Sequence, residues 1–223
     1  MFRKLKRWHY NLTHPVIGEV WQLHHVTDFV NPDLSLRDYE ISPSKLEQLI
    51  LKYRRKGYEF ISVESIGKPR AHKFVAVTLD DGYEDNFSVA LPLFRKYDIP
   101  FCIFVAVDYV FNDEVRARHG GMTPQQLSEI STDPLCTIGA HTVSHCRLSF
   151  LSLQEQRREM EESKRRLESF LGKPVTTFAY PYGDYSSETA NLASGIFEMA
   201  FAAWGGGVRI GFGVFNVPRI IVY

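Results

Sequence analysis

Short apolar runs alternate with helical patterns along most of the chain. Buried strands are indicated by runs such as VIGEVWQLH, FVAVTL, PFCIFVAV, CTIGAH and VTTFAY, each bounded by polar or turn residues. Segments with apolar residues at helical spacing lie between these runs, as in SPSKLEQLILKYRRKG. Because strands that alternate with helices form parallel β-α units, the pattern predicts an α/β fold with a largely parallel sheet.

The longest helical pattern has clear ends. Ser152 followed by Glu155 forms a capping box, and Gly172 with Pro174 stops the helix. The stretch QRREMEESKRR within it carries mixed charge at helical spacing. Such a stretch is typical of a solvated outer face, and we assign no function to it.

A polar segment between Tyr109 and Pro134 interrupts the alternation of strands and helices. It contains one predicted helix, TPQQLSEI, which Thr123 caps and in which Pro124 occupies the first turn. The segment is interpreted as an insertion at the loop end of the fold.

The composition fits one domain and gives no sign of a polyanionic partner. A chain of 223 residues with 44% hydrophobic content can bury one substantial core. Lys and Arg together number 26, as do Asp and Glu, so the formal net charge is zero and no general affinity for nucleic acid is expected. We divide the chain into a basic N-terminal segment, residues 1–15, and one folded domain, residues 16–223.

The N-terminal stretch MFRKLKRWHYNL places apolar residues at helical spacing among Lys and Arg residues. Two interpretations remain open: a peripheral membrane contact through residues 1–12, or a solvated segment that packs its apolar residues on the domain. No run approaches the roughly 20 apolar residues of a membrane span, and no signal-peptide pattern is present. Cys102, Cys136 and Cys146 lack CxxC spacing, which favours a reducing compartment. We therefore expect a cytoplasmic protein, with the inner face of the membrane as the site of any lipid contact.

In the stretch FVAVTLDDGYEDN, an apolar run ends at two adjacent carboxylates. Asp80 and Asp81 follow directly on a predicted strand and precede a glycine. In parallel α/β folds, functional sites are built at the carboxyl ends of strands. The same three residues also suit an ordinary turn, so the motif alone does not decide between a site and a turn.

A pair of histidines follows another predicted strand in TIGAHTVSH. His141 and His145 are four residues apart, a spacing that on a helical turn would let both imidazoles bind one metal ion. With one carboxylate they would make a divalent metal site, most suitable for Zn²⁺ and also able to take Fe, Co, Ni or Mn. One of the paired aspartates can complete this site, and the other can then accept a proton from water.

A third candidate element is TFAYPYGDYS, in which a predicted strand meets Pro181, Tyr182 and Gly183. A backbone N–H that follows the proline can point into a site and donate to a developing oxyanion. Taken alone, however, the Pro-Tyr-Gly sequence indicates only a turn.

In this order and at these positions, the three elements resemble the motifs of the polysaccharide deacetylases, carbohydrate esterase family 4, which includes chitin, peptidoglycan and chitooligosaccharide deacetylases. TLDDGYEDN is similar to the family's Thr-Phe-Asp-Asp-Gly motif, with Leu79 in place of phenylalanine, and IGAHTVSH matches its His-Ser/Thr-x-x-His motif in full. The resemblance extends over nearly the whole chain, from GEVWQLHHV to NVPRIIV.

The resemblance implies a distorted (β/α)7 barrel, with seven strands rather than eight, and a division of roles among the site residues. It makes Asp80 the general base and the Tyr182 backbone N–H an oxyanion donor, with Pro181 part of the same motif. It also implies three metal ligands: Asp81, His141 and His145.

Two positions depart from the family pattern. The third motif usually begins with an arginine that orients the catalytic aspartate, and Ala179 stands there. Arg219 in VPRIIV is the candidate replacement, and the alternative is an ordinary surface arginine. The fourth motif keeps Trp204 but offers no aspartate; this tryptophan either lines the substrate pocket or belongs to the core.

The family's Leu-x-His motif, which supplies a histidine acid, is missing near the C-terminus. His24 in QLHHV resembles the first-strand histidine of a subset of these enzymes, and the first and last strands of a closed barrel adjoin. We therefore expect His24 to be the catalytic acid, with His25 as the alternative. A histidine that is merely hydrogen-bonded in the first-strand loop is the competing interpretation.

The resemblance thus implies a metal-dependent hydrolase that removes an acetyl group from an N-acetylated amino sugar of a polysaccharide or its precursor. Two other functions remain open. One is a carbohydrate-binding pseudoenzyme, suggested by Ala179 and the missing C-terminal histidine. The other is an O-acetyl esterase or a non-sugar amidase that uses the same metal and base.

Overall fold

The structure is a computed structural model that describes residues 14–28 and 39–223. The predicted amphipathic stretch within residues 1–12 lies outside the described residues. No described helix combines the length and the apolarity that crossing a bilayer requires.

Short strands and helices alternate through the described residues. The strands are β1 (Val16–Leu23), β2 (His25–Val26), β3 (Glu40–Ile41), β4 (Glu59–Ile61), β5 (Phe74–Asp81), β6 (Phe101–Val105), β7 (Cys136–Ala140), β8 (Thr177–Ala179), β9 (Met199–Phe201), β10 (Val208–Arg209) and β11 (Ile220–Ile221). The α-helices are α1 (Pro43–Arg55), α2 (Leu91–Lys96), α3 (Val107–Phe111), α4 (Asp113–His119), α5 (Pro124–Ser131), α6 (Leu153–Leu171) and α7 (Ser187–Ser194). A π-helical turn (Asn86–Ala90) leads into α2. Three short 3-10 turns also lie in the described residues: Val63–Ser65, Leu148–Phe150 and Pro181–Gly183.

Seven parallel strands form the wall of a distorted barrel. Strand β1 pairs with β5, and the order continues through β6, β7 and β8 to β9. The last wall strand begins at Val217, which bridges Phe201 of β9, and continues into β11, which pairs with β1. Within the described part of the chain these contacts close the sheet and confirm the predicted distorted (β/α)7 barrel. Strand β10 lies antiparallel to β1, and β4 pairs with the start of β5.

Strand β5 shows how the sequence places a site at one end of the barrel. Phe74 and Ala76 pack in the barrel interior with residues such as Phe104. Burying a side chain as large as that of Phe74 stabilises the fold by about 1.5–3 kcal/mol, and burying the methyl group of Ala76 stabilises it by less. Because side chains alternate along a strand, Thr78 and Asp80 continue the same inward row and are buried and polar. The interior is therefore apolar at the amino end of β5 and polar at its carboxyl end.

The helix boundaries agree with the capping signals, and the polar insertion contains more helix than predicted. Capping boxes at Ser152 and Thr123 begin α6 and α5, and a left-handed Gly172 ends α6. The insertion also contains α4 and the end of α3, neither of which the sequence indicated. Helix α4 buries none of its residues and has no apolar stripe, so the hydrophobic pattern could not reveal it.

Candidate active site

A sharp turn at the end of β5 separates the two adjacent carboxylates. Asp81 has a left-handed φ of 75° and Gly82 one of 89°, and the Gly82 N–H donates to the Asp80 carbonyl oxygen at 3.0 Å. Asp tolerates this conformation better than most residues, and Gly adopts it freely. The turn directs the two carboxylates to different partners, which is the physical reason for the Asp-Asp-Gly sequence.

Asp81 lies beside the two predicted histidine ligands. Its Oδ1 is 3.4 Å from His141 Nε2 and 3.1 Å from His145 Nε2, and the three ligand atoms lie within 4.8 Å of one another. Asp81 Oδ1 is buried and has no hydrogen-bond partner among the described residues. A buried carboxylate oxygen without a donor is costly, and a cation held between these three atoms would satisfy it. The residues therefore fit a divalent metal of the kind that two imidazoles and a carboxylate bind.

A backbone contact fixes the ring of His141 for metal binding. His141 Nδ1 donates to the Ala179 carbonyl oxygen at 2.8 Å, which leaves Nε2 of the neutral ring without a proton. Burial lowers the pKa of His141 to about 4, so the neutral ring dominates near pH 7. The burial of Asp81 would raise its pKa, but the charges of His145 and His141 outweigh burial and lower it. Asp81 is therefore ionised, as a metal ligand must be.

The loop between the two histidines is held by Thr142. The Thr142 hydroxyl donates to the His141 carbonyl oxygen at 2.5 Å and accepts from the His145 N–H at 3.0 Å. Burial would lower the pKa of His145, but the negative charge of Asp81 outweighs burial and raises it. His145 also contacts the Tyr109 hydroxyl through Nδ1, at 3.4 Å.

Asp80 contacts Arg219 rather than the three candidate metal ligands. The guanidinium binds both carboxylate oxygens, at 2.6 Å to Oδ1 and 2.8 Å to Oδ2, and also donates to the Thr78 hydroxyl at 3.1 Å. Arg219 is 1% exposed, so it is not a surface arginine. Burial raises the pKa of Asp80, but the Arg219 charge and the nearby histidines outweigh burial and lower it.

Gln22 is a contact of Asp80 that the sequence analysis missed. Its Nε2 donates to Asp80 Oδ2 at 2.8 Å, while its Oε1 is buried without a partner among the described residues. The available signal was a polar residue near the end of the apolar strand β1. Tyr83 was missed as well: burial, followed by the charge of Asp81, raises its pKa.

His24 and His25 face different groups. His24 Nε2 lies 3.9 Å from Asp80 Oδ2, and its ring meets Tyr39 edge to face at 4.7 Å. His25 instead pairs with Asp85 at 2.7 Å through Nδ1 and stacks on Tyr83. Burial lowers the pKa of His24 and outweighs the charges of Asp80 and Asp81, which would raise it. The structure therefore brings His24, and not His25, to the predicted base.

The third motif forms a turn beside the histidines. Pro181 is buried and begins the 3-10 turn, and Tyr182 adopts a left-handed φ of 59°. The Tyr182 ring is 44% exposed, with its centre 4.7 Å from that of His145 and the Arg147 guanidinium 4.2 Å from it. Trp204, just after β9, is 64% exposed, which rules out the core interpretation. Trp204 has no described contact with the three metal ligands.

The chain is similar to known polysaccharide deacetylases. A family model described as polysaccharide deacetylase matches residues 67–196, more than half of the chain. YxkH of Bacillus subtilis (strain 168), whose name assigns it to the polysaccharide deacetylases, is 32% identical over 126 residues, covering 56% of this chain and 43% of that protein. The poly-beta-1,6-N-acetyl-D-glucosamine N-deacetylase of Escherichia coli (strain K12) is 26% identical over 121 residues, 48% of this chain and 18% of that enzyme. The matches therefore span less than half the length of either relative.

A solved structure extends the similarity over nearly the whole fold. The deacetylase PplD of Streptococcus pyogenes, solved in complex with acetate, superposes with a TM-score of 0.77 at 25% sequence identity. The superposition covers 91% of this chain and 91% of that one. The barrel is therefore shared over both chains, beyond the segment that the family model matches.

Proposed function

Because the chain belongs to the polysaccharide deacetylase family, we propose that it is a metal-dependent hydrolase that removes the acetyl group from an N-acetylated amino sugar. One observation carries the proposal. An unsatisfied Asp81 oxygen faces two histidine Nε2 atoms, while the adjacent Asp80 is ionised and held by different residues. One carboxylate can thus bind a metal while the other remains available as a base.

The two aspartates have separate roles in this proposal. A bound divalent metal would polarise the acetamide carbonyl and acidify water, and Asp81, His141 and His145 would hold it. Asp80 Oδ2 already accepts from Gln22 and Arg219, whereas Oδ1 accepts one described hydrogen bond, from Arg219. A carboxylate oxygen has room for two donors, so Oδ1 is the atom that accepts the proton of the attacking water.

His24 is proposed as the acid that protonates the departing amine. It is buried beside Asp80, and burial lowers its pKa, which makes its protonated form a stronger acid than an exposed imidazolium. The backbone N–H of Tyr182 is proposed as the oxyanion donor, at a turn whose left-handed conformation is unusual for a tyrosine. Pro181 fixes the start of this turn.

Replacing His24 with alanine is expected to lower kcat by about 10²- to 10⁴-fold, the range for loss of a general acid. Zinc affinity should stay within about twofold, since His24 is not one of the three ligands. His25→Ala is the matched control, because the neighbouring ring pairs with Asp85 instead of Asp80. Initial rates of acetate release and zinc titration check both variants. Unchanged activity of His24→Ala would remove it from the mechanism.

Gln22→Met is expected to lower kcat about tenfold and to leave KM and zinc affinity unchanged. Methionine keeps the volume but loses the donor to Asp80 Oδ2, so the carboxylate is held by Arg219 alone. The same change removes the buried, unpartnered Oε1, so the thermal midpoint should not fall by more than a few degrees. A large fall in the midpoint with unchanged kcat would instead assign Gln22 a purely structural role.

The proposed substrate is a polymer or oligomer of N-acetylglucosamine, or a precursor of one. The relative from E. coli is named for this substrate class, and three exposed aromatic rings can stack on sugars, two of them in contact with histidines of the site. These rings are Tyr39, Tyr182 and Trp204. Zinc as the native metal, the cytoplasmic location and the membrane contact through residues 1–12 all stay predictions.

The test is acetate release from N-acetylglucosamine oligomers by zinc-loaded protein, with O-acetylated sugars in parallel. Release from the N-acetyl substrates supports the proposal. Release only from the O-acetyl sugars would indicate an esterase, and oligosaccharide binding without any release would indicate a pseudoenzyme. Arg219 favours catalysis over the pseudoenzyme, because it holds Asp80 despite the alanine at position 179.

A further inference from the structure

We propose that Glu159, on helix α6, is a positioning residue of the metal site. It lies in the charged stretch of the helix that the sequence analysis interpreted as a solvated face without function. The inference rests on the proposed metal site, although Glu159 lies outside each of the sequence motifs that define that site.

Glu159 binds the middle of the loop that joins the two histidine ligands. Its Oε2 accepts from the Val143 N–H at 2.8 Å and from the Ser144 N–H at 3.1 Å, and its Oε1 accepts from the Ser144 hydroxyl at 3.2 Å. A carboxylate that accepts from backbone N–H groups forms charge-assisted hydrogen bonds, which are stronger than neutral ones. The N–H groups of Val143 and Ser144 therefore both have a hydrogen-bond acceptor.

The loop needs such support because its backbone is strained. Thr142 and His145 adopt left-handed φ values of 66° and 55°, and both residues carry a Cβ. Non-glycine residues keep this conformation only where surrounding contacts enforce it. The Thr142 hydroxyl links the two ends of the loop, but it does not reach the N–H groups of Val143 and Ser144.

A second element holds the opposite side of the same loop. The Val107 and Asp108 N–H groups at the start of α3 donate to the carbonyl oxygens of Thr142 and Val143, at 3.2 and 2.9 Å. The loop carbonyls are therefore held by α3, and the loop N–H groups are held by Glu159. Without Glu159 only one side would remain fixed, and His145 would lose its prearranged position relative to Asp81.

Loss of an outer contact that orients metal ligands typically weakens metal binding by about 10- to 100-fold. We expect this loss for Glu159→Ala. Glu159→Gln should recover most of the affinity, since one amide oxygen can still accept from both N–H groups. Glu161→Ala is the matched control, because Glu161 lies on the same helix and pairs only with Arg157 among the described contacts.

The experiment measures the zinc dissociation constant of the four proteins by chelator competition, together with the thermal midpoint of each metal-free protein. Weak binding by Glu159→Ala, recovery in Glu159→Gln and unchanged binding by Glu161→Ala support the inference. Equal affinity of Glu159→Ala and wild type would overturn it and leave the metal site intact. An equal loss in Glu161→Ala would also overturn it, since the effect would then belong to the helix charge. Wild type that binds no zinc would overturn both this inference and the proposed function.

Discussion

Asp80→Asn is expected to lower kcat for acetate release by about 10²- to 10⁴-fold while zinc still binds. Asparagine has nearly the same shape, but it cannot accept the proton of the attacking water. The three metal ligands are untouched, so zinc affinity should stay close to that of wild type. Initial rates and zinc titration on the same preparation measure the two effects separately.

The stability of Asp80→Asn must be measured as well. The change removes the negative charge from a fully buried ion pair with Arg219. Loss of one partner of such a pair typically lowers the free energy of unfolding by about 3–5 kcal/mol. Assays should therefore be run well below the thermal midpoint of the variant. A folded Asp80→Asn that keeps more than a tenth of wild-type kcat would show that Asp80 is not the base.

His141→Ala is expected to abolish stoichiometric zinc binding and, with it, acetate release. His141 is the most constrained of the three ligands: it is buried, its Nδ1 is tied to the Ala179 carbonyl oxygen and its Nε2 faces Asp81 Oδ1. Removal leaves one imidazole and one carboxylate, too few protein ligands for a tight zinc site. Calorimetric titration of the metal-stripped variant measures the loss.

His72→Ala serves as the control for this variant, since His72 is an exposed histidine just before β5. It should bind zinc with the same stoichiometry and affinity as wild type. If His141→Ala still bound one zinc ion tightly, the metal would lie elsewhere, and the assignment of the ligands would be wrong.

The sequence predicted the parts of the site that lie within short motifs. Asp80 and Asp81 end a strand that begins as an apolar, β-branched run, and the histidine pair follows another strand, so their strand-end positions could be recognised without coordinates. The closed barrel was predicted from the resemblance. Its last strand is nevertheless short and irregular, beginning with a single bridge at Val217.

Contacts between distant parts of the chain leave no local pattern in the sequence. Gln22 and Glu159 were therefore missed, and Arg219 was named only through the resemblance. Arg219 reaches Asp80 across 139 residues, and Gln22 reaches it across 58, so neither pairing is visible as a local pattern. Glu159 binds backbone N–H groups, which carry no sequence signature at all. A charged residue on an amphipathic helix looks solvated unless the loop packed against it is known.

The most direct test of the central claim is the metal dependence of deacetylation by the wild-type protein. The protein is stripped with a chelator, and acetate release from N-acetylglucosamine oligomers is measured before and after one equivalent of Zn²⁺ is added. We expect release close to background before addition, activity after it, and no recovery in a variant that combines Asp81→Asn with His141→Ala. Full activity in the stripped protein, or no activity after stoichiometric zinc binding, would contradict the account.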